Sequence, residues 1–286
     1  MGTHSLNRIA VVGAGTMGHG IAHVAAAAGY QVALFDAVDG AVAKGLARVR
    51  ENLDKGIARG KVTEAERDEA LGRLRGAETL ADAVSDADLV IEAVVESFDV
   101  KEPLFRELDA LAPAAAVLAT NTSSLSVARI AAATARPGQV VGMHFFNPVH
   151  IMKLLEVVVH DATGDSTRDA ALDVGRRMAK EPILVRDTPG FASSRLGIAL
   201  GLEAIRMLEQ GVASAEDIDK AMELGYNHPM GPLKLTDLVG LDVRLSIARY
   251  LHKELGAESF HPPELLMRMV SEGKLGKKTG EGFYRW

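Results

Sequence analysis

The chain has 286 residues, of which 48% are hydrophobic and 24% charged, and its net charge is −6. This length allows two ordinary domains, and the charge argues against nucleic acid as a partner, because nucleic-acid binding usually needs a basic face. The sequence contains no cysteine, which excludes disulfide scaffolds, zinc ribbons, iron–sulfur centres and thiol nucleophiles.

The N-terminal residues predict neither a signal peptide nor a membrane segment. Residues 1–7 are polar, and the longest apolar stretch, 21–35, is interrupted by His23, Gly29 and Gln31. A membrane-spanning helix needs roughly 20 consecutive apolar residues. We therefore expect a soluble protein of the cytoplasm that does not bind membranes.

Strands and helices alternate in the first two thirds of the chain. A strand over 9–12 leads into a glycine-rich turn, a helix over 21–28 that Gly29 ends, and a second strand over 31–35. Further predicted strands cover 89–94, 116–120, 140–145, 154–159 and 183–185. This alternation predicts an α/β fold with a parallel, doubly wound Rossmann sheet.

Two segments are predicted to be helical without strands. Residues 41–77 are polar with a helical period and a break at 60–63, which predicts a helical hairpin projecting from the sheet. After Pro189 and Gly190, predicted helices cover 191–209, 215–224, 233–255 (with a break near Gly240) and 263–271. We therefore expect a Rossmann domain over 1–188 and an all-α domain over 189–286.

The glycine-rich turn has the spacing of a dinucleotide-binding loop. Gly13, Gly15 and Gly18 form G-x-G-x-x-G between a strand and a helix, which is the context that gives this motif its meaning. Gly13 allows the tight turn, Gly15 lets the backbone approach a pyrophosphate, and Gly18 lets the helix pack on the strand. The helix N-terminus at Thr16 and Met17 then faces the phosphates.

An acidic residue, Asp36, occupies the position at which a dinucleotide-binding fold has its ribose-binding carboxylate. Asp36 ends the second strand, and it is followed by Ala37 and Val38 and not by arginine. Its carboxylate can accept hydrogen bonds from a ribose and would repel a 2′-phosphate. The sequence therefore predicts NAD as the cofactor in preference to NADP.

Two polar clusters are predicted at the same edge of the sheet as the glycine turn. Residues 121–125 follow one strand, and residues 144–148 follow another. Glu156 lies inside the apolar run 154–159, where an unpaired charge would be costly, and His144 is the candidate partner. A histidine–carboxylate pair suits alcohol oxidation, because imidazole takes the hydroxyl proton while hydride leaves for the nicotinamide.

At this point the chain resembles the L-3-hydroxyacyl-CoA dehydrogenase family, most of all its stand-alone bacterial 3-hydroxybutyryl-CoA dehydrogenases. The resemblance spans nearly the whole length. Its motifs are Gly13–Gly18, Asn121–Leu125, His144–Pro148, Met152–Val157, Pro189–Phe191, His228–Pro232 and Gly276–Tyr284.

The resemblance implies roles for the matching residues. His144 would be the base, Glu156 its partner, and Ser123 a hydrogen-bond donor to the substrate's 3-oxygen. The residues implied along the NAD site are Glu96, Lys101, Asn121, Asn147 and Lys278. The helical domain would form a homodimer. One position departs from the pattern: Ser194 stands where the family has a substrate-holding asparagine, and serine is shorter with fewer polar groups.

The end of the substrate that carries coenzyme A can be placed on the hairpin. Lys55 and Arg59 are four residues apart, so they would share one helix face and could hold the ADP phosphates. A solvated basic face with Arg48, Arg50 and Lys61 is the alternative. The histidines show no metal-ligand spacing, so no metal is expected.

The leading hypothesis is interconversion of (S)-3-hydroxybutyryl-CoA and acetoacetyl-CoA with NAD. One alternative is a related hydroxy-acid or sugar-acid dehydrogenase, which would not need Lys55 and Arg59. The other is an NAD-binding protein without turnover, although such a protein would have no reason to bury the charge of Glu156.

Overall fold

A computed structural model describes residues 6–286. The polar start of the chain, on which the expectation of no signal peptide rests, lies mostly outside these residues. The chain divides into two compact units, the first ending at Asp187 and the second running from Thr188 to Trp286. Among the residues described, none of the helices is long and apolar enough to cross a membrane, and no group of acidic or histidine side chains could hold a metal ion.

The first unit is built on an eight-stranded sheet. Its strands are β1 (Arg8–Val12), β2 (Gln31–Phe35), β3 (Leu74–Gly76), β4 (Leu89–Glu92), β5 (Val117–Thr120), β6 (Val140–Phe145), β7 (Leu154–Val159) and β8 (Glu181–Arg186). They lie in the order β3-β2-β1-β4-β5-β6-β7-β8. The predicted Rossmann fold is confirmed, with its reversal of strand order between β1 and β4.

The sheet is parallel as predicted except between β6 and β7. The strands β1 to β6 run parallel to their neighbours, but β6 and β7 are antiparallel, and β7 and β8 are parallel again. A parallel crossover needs a dozen or more residues, and the connection 146–153 between β6 and β7 is too short for one. The chain therefore turns back directly, and this places β7 beside the end of β6.

Helices cover the sheet of the first unit. They are α1 (Thr16–Ala27), α2 (Ala41–Ala58), α3 (Glu64–Gly72), α4 (Leu80–Val84), α5 (Phe98–Leu111), α6 (Val127–Ala131) and α7 (Asp165–Arg177). The central strands β4 and β5 are buried along their whole length, which is the usual state of parallel strands covered on both faces.

The hairpin over 41–77 needs a correction. Helices α2 and α3 form it, with the predicted break at 60–63, but residues 74–76 are the edge strand β3. The hairpin also does not project freely from the sheet, because its residues Val49, Leu53 and Ala70 are buried in the core of the unit. Gly45 explains the close approach of α2, since a Cβ there would lie 3.1 Å from the Ala14 carbonyl oxygen.

The second unit is helical, as predicted. Its helices are α8 (Ser193–Glu209), α9 (Ala215–Gly225), α10 (Pro232–Val239), α11 (Leu241–Leu255) and α12 (Glu264–Ser271). The predicted break at Gly240 is confirmed between α10 and α11.

A buried aspartate, Asp237, holds the C-terminal tail of this unit. Asp237 accepts hydrogen bonds of 2.9 Å from the backbone N–H groups of Phe283 and Tyr284 and from the indole of Trp286. A Cβ at Gly282 would overlap the same carboxylate. The glycine-rich motif at the C-terminus is therefore explained by close packing around Asp237.

Candidate active site

The glycine-rich turn after β1 has the geometry that its three glycines predict. Gly13 has a φ of +103°, and a Cβ there would lie 2.6 Å from the Ala93 carbonyl oxygen. A Cβ at Gly18 would overlap the Gly13 carbonyl oxygen, so α1 can pack on the turn because this residue is glycine. A Cβ at Gly15 would meet nothing within 4 Å. The protein thus leaves open the one position where a pyrophosphate must approach the backbone.

The N-terminus of α1 carries the positive end of the helix dipole at this turn. No side chain caps the helix, and its first turn, which includes Thr16 and Met17, has no acidic residue. Such a helix end offers N–H donors to an anion. This local geometry fits the diphosphate of a dinucleotide.

Asp36 is fixed beside the turn. One of its carboxylate oxygens accepts the Ala14 N–H at 2.7 Å, and the other accepts the Val38 N–H at 2.9 Å. These bonds hold the carboxylate at the end of β2, next to the glycine turn. This is the position from which an acidic residue reaches the adenosine ribose in a Rossmann fold.

His144 and Glu156 lie directly opposite each other on the antiparallel strands β6 and β7. His144 is the last residue but one of β6, so it lies inside the strand and not after it as expected from the sequence. Its Nδ1 is 2.7 Å from Glu156 Oε2, and the carboxylate is completely buried. The structure brings together the two residues that the sequence predicts as a pair.

Glu96 organises the loop that follows β5. Its Oε1 accepts hydrogen bonds from the Thr122 hydroxyl at 2.6 Å and from the Ser123 N–H at 2.7 Å. The Ser123 hydroxyl is 3.2 Å from the same oxygen. Ser123, the predicted substrate contact, is therefore held by a glutamate that the resemblance places along the NAD site.

A second buried ion pair lies beneath this loop, and the sequence analysis missed it. Lys101 and Glu92 are 1% and 0% exposed, with Nζ and Oε1 2.6 Å apart. Glu92 also accepts the Thr120 hydroxyl at 2.7 Å, although burial raises the pKa of its carboxyl group. Lys101 Nζ is 3.3 Å from Glu96 Oε2, so Lys101 reaches the site through Glu96 and not as an exposed cation. The sequence feature that could have indicated this pair is Glu92, a carboxylate in the otherwise apolar strand β4.

The two asparagines that are predicted along the cofactor site lie in different environments. Asn121 follows β5, and its side-chain oxygen accepts the Phe145 N–H at 2.9 Å, which ties the ends of β5 and β6 together. Asn147 is exposed in the loop after β6. The buried ammonium of Lys180 holds that loop, because it donates to the carbonyls of Val149 and Met152.

Lys55 lies in the last turn of α2, which ends at Ala58, and Arg59 is the C-cap residue of that helix. Both are exposed, and Lys55 forms an ion pair with Glu51 at 2.7 Å. The pKa of His150, in the loop after β6, is lowered by burial and then by the positive charges of His19, Lys180, Arg59 and Lys55. The two hairpin cations are therefore close enough to the loop after β6 to act on it electrostatically.

The second unit contains the two remaining predicted residues. Ser194 is partly buried in the first turn of α8. Lys278 forms an ion pair with Asp242, its Nζ lying 2.5 and 2.6 Å from the two carboxylate oxygens.

The Rossmann sheet, its open glycine turn and the fixed Asp36 define an NAD-binding protein, and the carboxyl edge of the same sheet carries a histidine–carboxylate pair suited to dehydrogenation. Two family models match the chain, 3-hydroxyacyl-CoA dehydrogenase, NAD binding domain, over residues 8–188, and 3-hydroxyacyl-CoA dehydrogenase, C-terminal domain, over residues 190–286. The chain belongs to the 3-hydroxyacyl-CoA dehydrogenase family, and it is an NAD-dependent oxidoreductase.

Individual relatives agree with this assignment. The chain is 45% identical to the 3-hydroxybutyryl-CoA dehydrogenase of Mycobacterium tuberculosis over 99% of both chains. It is 44% identical to the probable 3-hydroxybutyryl-CoA dehydrogenase of Bacillus subtilis over 98% of this chain and 97% of that protein. The crystal structure of (S)-3-hydroxybutyryl-CoA dehydrogenase from Ralstonia eutropha matches with a TM-score of 0.95 and 40% identity over 99% of both chains.

Proposed function

We propose that the enzyme interconverts (S)-3-hydroxybutyryl-CoA and acetoacetyl-CoA with NAD. The observation that carries this proposal is the buried His144–Glu156 pair at the carboxyl edge of an NAD-binding sheet, with a 2.7 Å contact between Nδ1 and Oε2. The names of the relatives add the substrate class, because those proteins are 3-hydroxybutyryl-CoA dehydrogenases.

His144 acts as the general base in this mechanism. With Nδ1 engaged by Glu156, Nε2 is the nitrogen that takes the proton of the 3-hydroxyl group. The Glu156 carboxylate fixes the tautomer and stabilises the imidazolium that forms, and its burial strengthens this interaction. In the reverse direction the imidazolium returns the proton to the 3-oxygen.

Ser123 and Glu96 position the reacting group. The Ser123 hydroxyl donates to the substrate's 3-oxygen, and Glu96 fixes the loop through the Ser123 N–H and the Thr122 hydroxyl. The glycine turn, Asp36, Asn121 and Asn147 would hold NAD, which supplies the hydride acceptor at its nicotinamide ring. Lys101 keeps Glu96 in place from beneath.

The coenzyme A portion is recognised by cations of the first unit. Lys55 and Arg59 are exposed, and their influence on His150 indicates one basic region at the hairpin and the loop after β6. Such a region suits the diphosphate and 3′-phosphate of coenzyme A. Ser194 takes the place of the family's asparagine toward the acyl group, and Lys278 belongs to the cofactor contacts.

The proposal also includes a homodimer formed through the second unit. That unit exposes large apolar side chains, among them Leu196, Leu224 and Tyr226, which are 71%, 83% and 76% exposed. Exposed apolar groups of this size are typical of protein contact surfaces.

Consumption of NADH with acetoacetyl-CoA, compared with free acetoacetate, tests the proposed function. We expect kcat/KM to be at least about a hundredfold higher for the thioester, because binding of the remote coenzyme A portion contributes to catalysis. NADPH serves as the cofactor control. Equal rates with the two substrates, or none with either, would contradict the proposal.

A further inference from the structure

A buried cation in the second unit takes no part in the site described above. Arg244 is 8% exposed, on the same face of α11 as the buried residues Leu241, Leu245 and Ala248. Burial lowers the pKa of its guanidinium to about 10, and its Nε has no hydrogen-bond partner. A buried charge is strongly unfavourable unless it is paired.

The described residues of the protein do not supply the missing negative charge. Within residues 6–286, Arg244 forms no ion pair with a carboxylate. The nearest acid in the sequence, Asp242, is already bound by Lys278 at 2.5 and 2.6 Å. The neighbours of Arg244 on its face of the helix are apolar. These facts indicate that the counter-charge comes from a bound molecule.

The guanidinium of Arg244 lies against helix α8 at Gly197, which has no side chain. One terminal nitrogen of Arg244 is 3.4 Å from the position that a Cβ of Gly197 would occupy. Ser194 precedes Gly197 by three residues in α8, so the two lie on one face of the helix. Arg244 is thus a neighbour of the helix face that carries the residue proposed to contact the acyl group.

We propose that Arg244 binds a carboxylate at the far end of the substrate's acyl chain, so that the preferred substrates are coenzyme A thioesters of 3-hydroxy dicarboxylic acids. The inference rests on the proposed function and names its substrate class. A planar guanidinium matches the two oxygens of a carboxylate. A single cation beside Leu241 and Leu245 suits a singly charged group on an apolar chain better than a multiply charged phosphate. The absent side chain of Gly197 lets the guanidinium lie directly against α8, three residues after Ser194.

Two substrates of equal carbon number provide the test. We expect wild-type kcat/KM to be at least about tenfold higher for 3-hydroxyadipyl-CoA, which ends in a carboxylate, than for 3-hydroxyhexanoyl-CoA, which ends in a methyl group. Arg244→Met should reduce this ratio by about 10- to 100-fold. Arg249→Met removes an exposed arginine from the same helix and should leave the ratio unchanged.

The thermal stability of the ligand-free protein gives an independent readout. Arg244→Met should raise Tm by a few degrees, because it removes an unpaired buried charge. A fall in Tm together with a change in oligomeric mass would assign the guanidinium to a carboxylate of a second copy and overturn the inference. A wild-type enzyme that prefers the methyl-ended substrate would overturn it as well, and activity on that substrate would leave the proposed function intact.

Discussion

Two carboxylates of the first unit, Glu92 and Glu156, are completely buried in strands that are otherwise apolar, and each lies beside an ionisable side chain. Lys101 pairs with Glu92, whereas His144 pairs with Glu156. Lys101 also reaches Glu96, with its Nζ 3.3 Å from Oε2, so we interpret the first pair as a support for the loop after β5. The second pair contains the imidazole that we propose as the general base. In this interpretation the first pair is structural, and the second pair is the one that we propose to be catalytic.

Replacement of His144 tests this distinction. We expect His144→Ala to lower kcat for acetoacetyl-CoA reduction by roughly 10² to 10⁴, because general-base catalysis contributes about that factor. NADH affinity, measured by fluorescence titration, should stay nearly unchanged. His261→Ala removes an exposed imidazole of the second unit and serves as the control. A His144→Ala variant that keeps more than about a tenth of the wild-type kcat would refute the base assignment.

Asp36 is the residue that we propose to select NAD over NADP. Its two carboxylate oxygens accept the backbone N–H groups of Ala14 and Val38, and in the proposed function its charge disfavours a 2′-phosphate. Asp36→Asn keeps an oxygen acceptor and removes the charge. We expect the ratio of kcat/KM for NADH to that for NADPH to fall by about tenfold or more. An unchanged ratio, with the melting temperature preserved, would show that Asp36 does not select the cofactor.

At the scale of elements, long periodic segments could be predicted and short or paired ones could not. The strands β2, β6 and β7 have the predicted bounds, because short, mostly apolar runs that contain β-branched residues identify a buried strand. The strand β3 has three residues with Arg75 among them, and its position at the sheet edge gives no apolar signal. The antiparallel turn at 146–153 was predictable from its length, yet periodicity alone does not give strand direction.

The hairpin formed by α2 and α3 has a test of its own. Lys55→Ala with Arg59→Ala should raise KM for acetoacetyl-CoA by about tenfold and leave KM for NADH unchanged, since two exposed cations near a phosphate contribute modest charge-assisted binding. The increase should be smaller at high salt, where charges are screened over a few ångströms.

The control for the hairpin removes the same charge from the same element. Arg48→Ala with Lys61→Ala replaces two other exposed cations and should change KM much less. S-Acetoacetylpantetheine, which lacks the ADP portion, should bind equally well to all three proteins. A loss of the same size in both double variants would mean that the hairpin is merely a solvated basic face.

At the scale of the whole molecule, sequence reasoning found residues whose partners are implied by a motif or a strand pattern, and it missed residues whose burial or pairing arises only when elements pack together. Gly13, Gly15 and Gly18 are placed by one local motif, and the structure gives each the predicted surroundings. Arg244 gave no signal, because its burial depends on the packing of α11 against α8. Tertiary packing therefore decides which charged side chains become buried, and the sequence around them does not indicate it.

Tertiary packing also affects how stable the folded protein is at low pH, because it buries His23 of α1. This imidazole is 7% exposed and stacks on His150 with ring centroids 5.4 Å apart. Burial, with the positive charges of His150, His19 and Lys180, lowers the pKa of His23 from 6.5 to about 4. Between these two pH values the unfolded chain binds a proton that the folded protein does not, so folding stability falls as the pH drops through this window.

We expect His23 to account for about 3 kcal/mol of stability at pH 7 that is lost by pH 4, since each pKa unit corresponds to about 1.4 kcal/mol. His23→Gln keeps a polar side chain that does not titrate. Urea unfolding from pH 7 to pH 4 should therefore show a shallower decline for the variant. His150, whose pKa is also lowered, will retain part of the slope in both proteins. Parallel stability curves for wild type and His23→Gln would show that His23 is not the group that gains the proton on acid unfolding.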